Sequence, residues 1–243
     1  IQLGADDYLS KPVHLPQLLM VLRRVLKHRA LQREARRLRS ALEGQKPTDV
    51  RANVVGQAKA FRDLLDLAHQ VADSPVSVLI TGEGGTGKQY LARLIHQWSG
   101  RSGPFVTVKC SAFSEVAFER ELFGVREGDS VLREGLLLQA NGGTLLLTDI
   151  DELPLAVQAR LLRFLQEKSF TRVGDTERLT ADVRVLASAS NELESEVKAG
   201  NFREDLFYRL NVMTITMPSL RERPDSTPLL AMHFLQPFAR QAH

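Results

Sequence analysis

The stretch "SVLITGEGGTGKQYLARLI", residues 77–95, decides the fold. Its first five residues are apolar enough to predict a buried strand, and an amphipathic helical pattern follows from Lys88. Between them the glycine loop matches G-x-x-x-x-G-K, a pattern whose backbone N–H groups surround phosphate oxygens. The alternative is a glycine turn that only connects a strand to a helix, and the correct context on both sides disfavours it. We therefore predict a nucleotide-phosphate site.

Each part of this loop has a physical role. Its glycines allow the backbone to turn its N–H groups inward, and the following helix adds its positive N-terminal end. Lys88 is expected to reach the β and γ phosphates as a mobile point charge. Gln89 departs from the usual motif, which has Ser or Thr there for magnesium. The predicted cofactor-binding residues are Gly82, Glu83, Gly84, Gly85, Thr86, Gly87, Lys88 and Gln89.

The whole chain has the composition of a globular protein. Of its 243 residues, 43% are hydrophobic and 25% charged, and the net charge is +3. Cys110 is the only cysteine, so no intrachain disulfide can form, and we expect a reducing, cytoplasmic setting. The sequence has no apolar run of membrane-spanning length, and we expect no signal peptide. It begins at Ile1 in what reads as mid-domain sequence, so we expect a fragment.

The N-terminal part carries a basic helical pattern. Eight Lys or Arg residues and one acid lie between Arg23 and Arg39. A nucleic-acid patch is one interpretation, and a solvated helix face is the one we favour. Within residues 14–43, apolar residues recur at alternating spacings of four and three, with one break near Arg29, which predicts a short dimerising coil. "EGQKPTD", residues 43–49, then ends the helical pattern.

From about Val54 onward, apolar strands alternate with amphipathic helices. Further apolar runs lie at 104–110, 144–150, 182–190 and 211–217, and helical patterns lie at about 113–122 and 155–167. This alternation predicts an α/β fold with a parallel sheet covered by helices on both faces.

Several stretches together resemble one family. They are "GEGGTGK" (82–88), "ELFG" (121–124), "GGTLLLTDIDELPLAVQARLLRFLQE" (142–167), "VRVLASASN" (183–191), "FREDLFYRLNV" (202–212) and "LRERPDSTPLL" (220–230). In this order they resemble the AAA+ domain of bacterial NtrC-type enhancer-binding proteins, the activators of sigma-54 RNA polymerase. "LGADDYLSKP" (3–12) is similar to the last strand of a response-regulator receiver domain.

The resemblance implies a domain organisation. Residues 1–27 would be the C-terminal remnant of a receiver domain and residues 28–50 a helical, coiled-coil-like linker. Residues 51–222 would be an AAA+ P-loop NTPase domain, and residues 223–243 the start of its helical lid. The lid's ATP-sensing arginine and the family's DNA-binding helix-turn-helix would both lie beyond His243.

The resemblance also implies roles. Members form a ring that hydrolyses ATP with Mg²⁺ between subunits and remodels the polymerase. Asn191 would sense the γ phosphate, and Arg203 and Arg209 would be arginine fingers that reach a neighbour's ATP. A surface salt bridge is the alternative for each arginine.

The chain departs from the family where two acids are expected. The family's strand ends Asp-Glu, and the ungapped match puts Thr148 and Asp149 there. A threonine hydroxyl carries no charge to organise magnesium, and Asp149, the remaining catalytic and metal candidate, is one methylene shorter than Glu. A one-residue slip would leave Ile150 as the base, and Ile150 cannot polarise water. Asp151 and Glu152 are expected to be surface charges.

Two further departures follow. Lys109 stands where the family carries an Asn that holds the catalytic glutamate, and it could either pair with Asp149 or point to solvent. After "ELFG", the family's Gly-Ala-Phe-Thr-Gly-Ala loop, which touches sigma-54, is replaced by the shorter "VREGDSVLREGLLLQANGG" (125–143).

Two functions remain open. The one we favour is a response-regulator transcription factor whose AAA+ domain binds ATP to set its oligomeric state, with little or no hydrolysis. The other is a working ATPase that remodels sigma-54 RNA polymerase with another surface. Expected partners are copies of the chain itself, DNA through an absent C-terminal domain, an upstream sensor kinase and, less directly, a sigma factor. A purely structural protein is disfavoured by the intact phosphate loop.

Overall fold

The structure is a computed structural model that describes residues 59–128, 130–190, 193–224, 227–228, 230–232 and 235. The predicted receiver remnant (1–27) and linker (28–50) lie outside these residues, and the predicted lid (223–243) is described only in part. None of the described helices is both long and apolar enough to cross a membrane.

A five-stranded parallel sheet forms the centre of the described chain. Its strands stand in the order β2-β5-β8-β1-β9. They are β1 (Val78–Thr81), β2 (Phe105–Lys109), β5 (Thr144–Thr148), β8 (Arg184–Ala189) and β9 (Met213–Thr216). Each forms within one of the apolar runs of the sequence, so the predicted parallel sheet is confirmed.

Seven α-helices and three short 3₁₀ helices have their bounds within the described residues, and residues 227–228, 230–232 and 235 are helical as well. The α-helices are α1 (Lys59–Ala72), α2 (Lys88–Trp98), α3 (Glu115–Phe123), α4 (Leu136–Gln139), α5 (Leu155–Glu167), α6 (Leu193–Lys198) and α7 (Glu204–Leu210). The 3₁₀ helices are η1 (Cys110–Ala112), η2 (Ile150–Glu152) and η3 (Leu220–Glu222). The predicted starts of α2 and α5 and the end of α5 agree with these bounds.

Helices cover both faces of the sheet, as predicted. Leu145 and Leu147 of β5 belong to a buried cluster that also contains apolar side chains of α3, α5 and α7. Successive residues of a strand point to opposite faces, so Leu146 faces the other side, where α2 contacts β1, β5 and β8. β5 and β8 are buried along almost their whole length, which explains their continuous apolar runs.

A buried arginine ties α1 to the sheet. Arg184, the first residue of β8, is 2% exposed. Its guanidinium donates to the carbonyl oxygens of Ala72 at 2.6 Å, Val71 at 2.8 Å and Val76 at 3.3 Å. It thereby satisfies carbonyls at the C-terminal end of α1 that have no intrahelical partner. Burial lowers the pKa of Arg184 to about 10.

Two antiparallel hairpins were not predicted. One is β3 (Gly124–Glu127) with β4 (Ser130–Glu134), and the other is β6 (Ser169–Thr171) with β7 (Arg178–Thr180). The first occupies the segment that differs from the family's sigma-54 loop. The run at 144–150 is also shorter as a strand than predicted, because β5 ends at Thr148 and Asp149 turns into η2 with a φ of 53°.

Candidate functional site

The glycine loop lies between β1 and α2, at the C-terminal edge of the sheet. Gly82, Gly85 and Gly87 have positive φ angles of 138°, 80° and 98°, so the backbone curls in a way that residues with a Cβ disfavour. A Cβ on Gly82 would lie 2.8 Å from the carbonyl oxygen of Met217, which shows how closely β9 approaches the loop. Gly87 is the N-cap of α2, whose first turn faces the loop.

Lys88 bends back over this loop. Its ammonium donates to the carbonyl oxygens of Gly82 at 2.5 Å and Glu83 at 3.0 Å, and to Ser190 Oγ at 3.3 Å. Burial lowers the pKa of Lys88, and the carboxylates of Asp149 and Asp151 oppose that shift. The ammonium thus lies where the loop, the end of β8 and the two acids meet, the position expected of a phosphate ligand.

Asp149 is held by two neighbours. Its Oδ2 lies 3.3 Å from the Lys109 Nζ and 3.3 Å from the Ser111 Oγ, which donates to it. The pairing that the sequence left open is therefore formed, although the Lys109 side chain remains 61% exposed. β2 and β5 are neighbours in register, with Lys109 opposite Thr148, so the pair follows directly from the sheet.

The neighbouring positions offer little to a divalent cation. The Thr148 Oγ1 lies 3.4 Å from the Val108 carbonyl oxygen and donates to it, and Gln89 is exposed. In the described ranges, no three His, Cys, Asp or Glu side chains are arranged to hold a metal. The residues therefore fit a nucleotide's phosphates better than they fit Mg²⁺, for which Asp149 is the nearest carboxylate candidate.

The two acids after Asp149 differ from each other. Glu152 is exposed, as expected, but Asp151 is half-buried, so the expectation of a surface charge is wrong for it. Burial raises the pKa of Asp151, and the charges of Asp149 and Glu196 act in the same direction.

The two candidate arginine fingers lie on or beside α7 and are exposed. Arg203 forms a two-bonded ion pair with Asp205, at 3.0 and 2.8 Å, which raises the pKa of Arg203. Its backbone N–H donates to the buried Gln158 at 2.8 Å. Arg209 donates to the Leu165 carbonyl at 3.0 Å.

The γ-phosphate sensor candidate, Asn191, lies outside the described residues. The residue before it, Ser190, accepts a hydrogen bond from Lys88 at 3.3 Å. The end of β8 therefore reaches the glycine loop.

A second set of loop contacts was not anticipated. Arg221 pairs with Glu83, and Arg223 donates to the Thr86 carbonyl oxygen at 2.7 Å. The segment "LRER" was recognised as part of a family pattern, but two arginines after the last strand gave no sign of what they contact. Their position depends on β9 lying beside β1, which spacing alone does not reveal.

Comparison with known proteins identifies the family to which this chain belongs. The profile of the Sigma-54 interaction domain matches residues 54–216. The regulatory protein AtoC of Escherichia coli strain K12 is 42% identical over 246 residues, which cover 99% of this chain and 53% of AtoC. The DNA-binding transcriptional regulator NtrC of the same strain is 40% identical over 245 residues, which cover 99% of this chain and 51% of NtrC. The chain thus spans about half the length of these relatives.

Solved structures of a related protein have a similar fold. NtrX from Brucella abortus in complex with ATP has a TM-score of 0.74 and 36% identity, covering 98% of this chain and 50% of NtrX. NtrX in complex with ADP has a TM-score of 0.73 and 37% identity, with the same coverage. With the parallel sheet and the strand–loop–helix unit, these likenesses confirm the predicted AAA+ P-loop NTPase fold.

Proposed function

Because this chain belongs to the Sigma-54 interaction domain family, we propose that it is an ATP-binding regulatory module with slow or no nucleotide turnover. The observation that carries the proposal is the Lys109–Asp149 ion pair, with 3.3 Å between Nζ and Oδ2. A carboxylate acts as a general base only if it can accept a proton from the attacking water. The Lys109 ammonium already contacts Oδ2, so an attacking water would have to compete with it for that oxygen.

Binding is retained because its parts are separate from the base. The three glycines at positive φ, the N-terminus of α2 and the Lys88 ammonium all belong to one loop, of the kind that binds phosphate groups. NtrX, the relative with a similar fold, was crystallised with ATP and with ADP. We infer that this chain binds the same nucleotides.

Magnesium would contribute less here than in a site with two acids. Thr148 replaces a carboxylate, and its hydroxyl donates to Val108 within the sheet. Mg²⁺ takes oxygen ligands and is commonly bound by one or two carboxylates plus phosphates. We therefore expect Mg²⁺ to arrive with ATP and to depend mainly on phosphate oxygens, with Asp149 as the protein's carboxylate.

The sigma-54 contact is expected to be weak. The segment after "ELFG" folds as the hairpin β3–β4, and its exposed apolar residues are Val131 and Leu132 rather than a Phe-Thr apex. We propose that this hairpin does not engage sigma-54. Co-sedimentation of the full-length protein with sigma-54 in the presence of ATP should show no complex, whereas a complex abolished by Leu132→Ser would overturn this part of the proposal.

An active ATPase is the second candidate. Arg203 and Arg209 are both exposed, which a role toward a neighbouring subunit's nucleotide would require, and the Asp149 side chain is 29% exposed. In that case Lys109, which is largely exposed, would swing away from Asp149 when ATP binds.

The family supports a proposal for the wider setting. We propose a cytoplasmic, self-associating regulator that receives a signal from a sensor kinase and contacts DNA through a further domain. A dimerising linker at residues 28–50 remains a prediction.

The proposal is tested by following bound nucleotide in the full-length protein. Stoichiometric ATP with Mg²⁺ is incubated with the wild type and with Lys88→Ala, and the bound nucleotide is then identified by chromatography. We expect the wild type to retain ATP for many minutes and the variant to retain none. Recovery of ADP from the wild type within seconds would support the active ATPase, and absence of any bound nucleotide would refute both.

A further inference from the structure

Arg223 is buried against the phosphate loop although no role has been assigned to it. It is 5% exposed, its Nη2 donates to the Thr86 carbonyl oxygen at 2.7 Å, and its Cζ lies 4.9 Å from the centre of the Phe61 ring. Among the described residues, no carboxylate lies within ion-pair distance of it. A buried cation without a counter-ion is costly, so its partners here are a backbone dipole and an aromatic face.

The hydrogen bond from Arg223 to the Thr86 carbonyl oxygen also orients the N–H of the next residue, Gly87. The group between Thr86 and Gly87 is planar, and in a trans peptide the C=O and N–H point in opposite directions. A carbonyl held toward Arg223 therefore fixes the Gly87 N–H toward the opposite side, into the loop. A cation on the oxygen also polarises the amide and strengthens its N–H as a donor.

The surrounding segment is built to hold Arg223 in place. Met217 donates its N–H to the Thr81 carbonyl at 2.8 Å, which fixes the end of β9 beside the loop. Ser219 and Glu222 then form a reciprocal capping box around η3, with Glu222 Oε2 at 2.7 Å from Ser219 N. This box orients the turn from which Arg223 extends.

We propose that Arg223 is a positioning residue for nucleotide binding, which acts by aiming the Gly87 amide at a phosphate oxygen. Arg221 provides the contrast. Its pair with Glu83 is largely exposed on both sides, at 78% and 58%, and reaches a side chain rather than the loop backbone. Exposed pairs of this kind contribute little. The inference rests on the proposed nucleotide binding but names a residue outside the glycine motif.

The test compares Arg223→Met, Arg223→Lys and, as the matched control, Arg221→Met in the full-length protein. Affinities for a fluorescent ATP analogue and for inorganic tripolyphosphate are measured by titration and competition. We expect Arg223→Met to weaken both about tenfold or more, because it removes a charged hydrogen bond. Arg223→Lys should recover part of that loss, since an ammonium can still donate to Thr86, and Arg221→Met should change either affinity less than about threefold.

Amide hydrogen exchange in the nucleotide-free protein separates positioning from general stability. In Arg223→Met the amides of residues 84–89 should exchange faster than in the wild type, while those of β5 and β8 stay unchanged. Unchanged affinity, or exchange that rises equally across the sheet, would overturn the proposal. If the wild type bound no ATP analogue, the proposed function would fail, whereas the exchange of the empty loop would still decide the role of Arg223.

Discussion

Asp149 combines an unusual backbone with an unusual partner. Its φ of 53° lies in the left-handed region, which Asp tolerates better than most residues with a side chain because its short polar group can bond locally. The same turn directs the carboxylate toward Lys109 and Ser111. The shorter acid and the ion pair are therefore two aspects of one local structure.

His96 provides a test at the residue scale that does not involve the nucleotide. Its Nδ1 lies 2.9 Å from Thr144 Oγ1, and its ring packs beside Phe105. Burial lowers the pKa of His96, and the nearby cations Arg101, Arg93 and Arg184 lower it further. The folded protein therefore binds this proton less readily than the unfolded chain, whose His titrates near about 6.5.

The lowered pKa of His96 makes the free energy of unfolding depend on pH. This contribution to stability is fully present above the unfolded pKa and falls as the pH drops below it, because the unfolded chain then takes up more protons. Between pH 7.5 and 5.5 we expect a loss of no more than about 1 kcal/mol, since the ring is only half-buried and solvent screens it. Urea unfolding of the wild type and His96→Gln across this range measures it. If the free energy of unfolding changed equally with pH in the two proteins, His96 would not be the titrating group.

At the scale of elements, α5 and α7 are joined through one buried amide. Gln158 is fully buried in α5, donates to the carbonyls of Leu153 at 2.7 Å and Asn201 at 3.0 Å, and accepts from the Arg203 N–H. It thus fixes the start of the helix that presents Arg203.

Replacing Gln158 by Met should keep the volume but leave three backbone groups without their partner. We expect a loss of about 2–4 kcal/mol in the free energy of unfolding, because each unsatisfied buried group costs roughly 1–3 kcal/mol and the losses overlap. Gln139→Met is the control, because Gln139 is exposed while also donating to a backbone carbonyl, that of Glu134. Urea unfolding gives both values, and similar losses for the two variants would refute the account.

The sequence predicts elements well where packing is periodic. The buried strands and the helices α2 and α5 follow from apolar spacing, and the glycine loop follows from its motif. The two hairpins do not: β4 is exposed at every residue and has no buried face, and β6 and β7 have only three residues each, too few for a periodic pattern. Contacts distant in sequence hold them instead, including Arg126 with Asp175 and Glu177 at 3.3 Å, and the Val125–Val173 bridge.

Some parts of the candidate site could likewise be predicted from the sequence, and others could not. Thr148, Asp149 and Lys88 could be located from motifs, since each is tied to a strand end or a glycine turn. The Lys109–Asp149 pair required the register of β2 against β5, and the Arg223 contact required β9 beside β1. Both depend on strand order, which the spacing of apolar residues does not encode.

At the scale of the whole molecule, the proposed role of ATP is to set the oligomeric state. Sedimentation velocity of the full-length protein should show larger species with ATP than without it. Lys88→Ala should remove the difference, because it removes the phosphate ligand, whereas Lys198→Ala, an exposed lysine of α6, should not. A wild type that sediments identically with and without ATP would contradict ATP-controlled assembly.

The central claim is that Thr148, Asp149 and Lys109 together suppress hydrolysis in a domain that still binds ATP. Its most direct test is steady-state ATP hydrolysis by the full-length wild type beside the variant with Thr148→Asp, Asp149→Glu and Lys109→Asn. We predict a wild-type rate far below about 1 per second and a variant rate that rises into the enzymatic range of about 1 per second or more. A wild type that already turns over at about 1 per second or faster would contradict the claim.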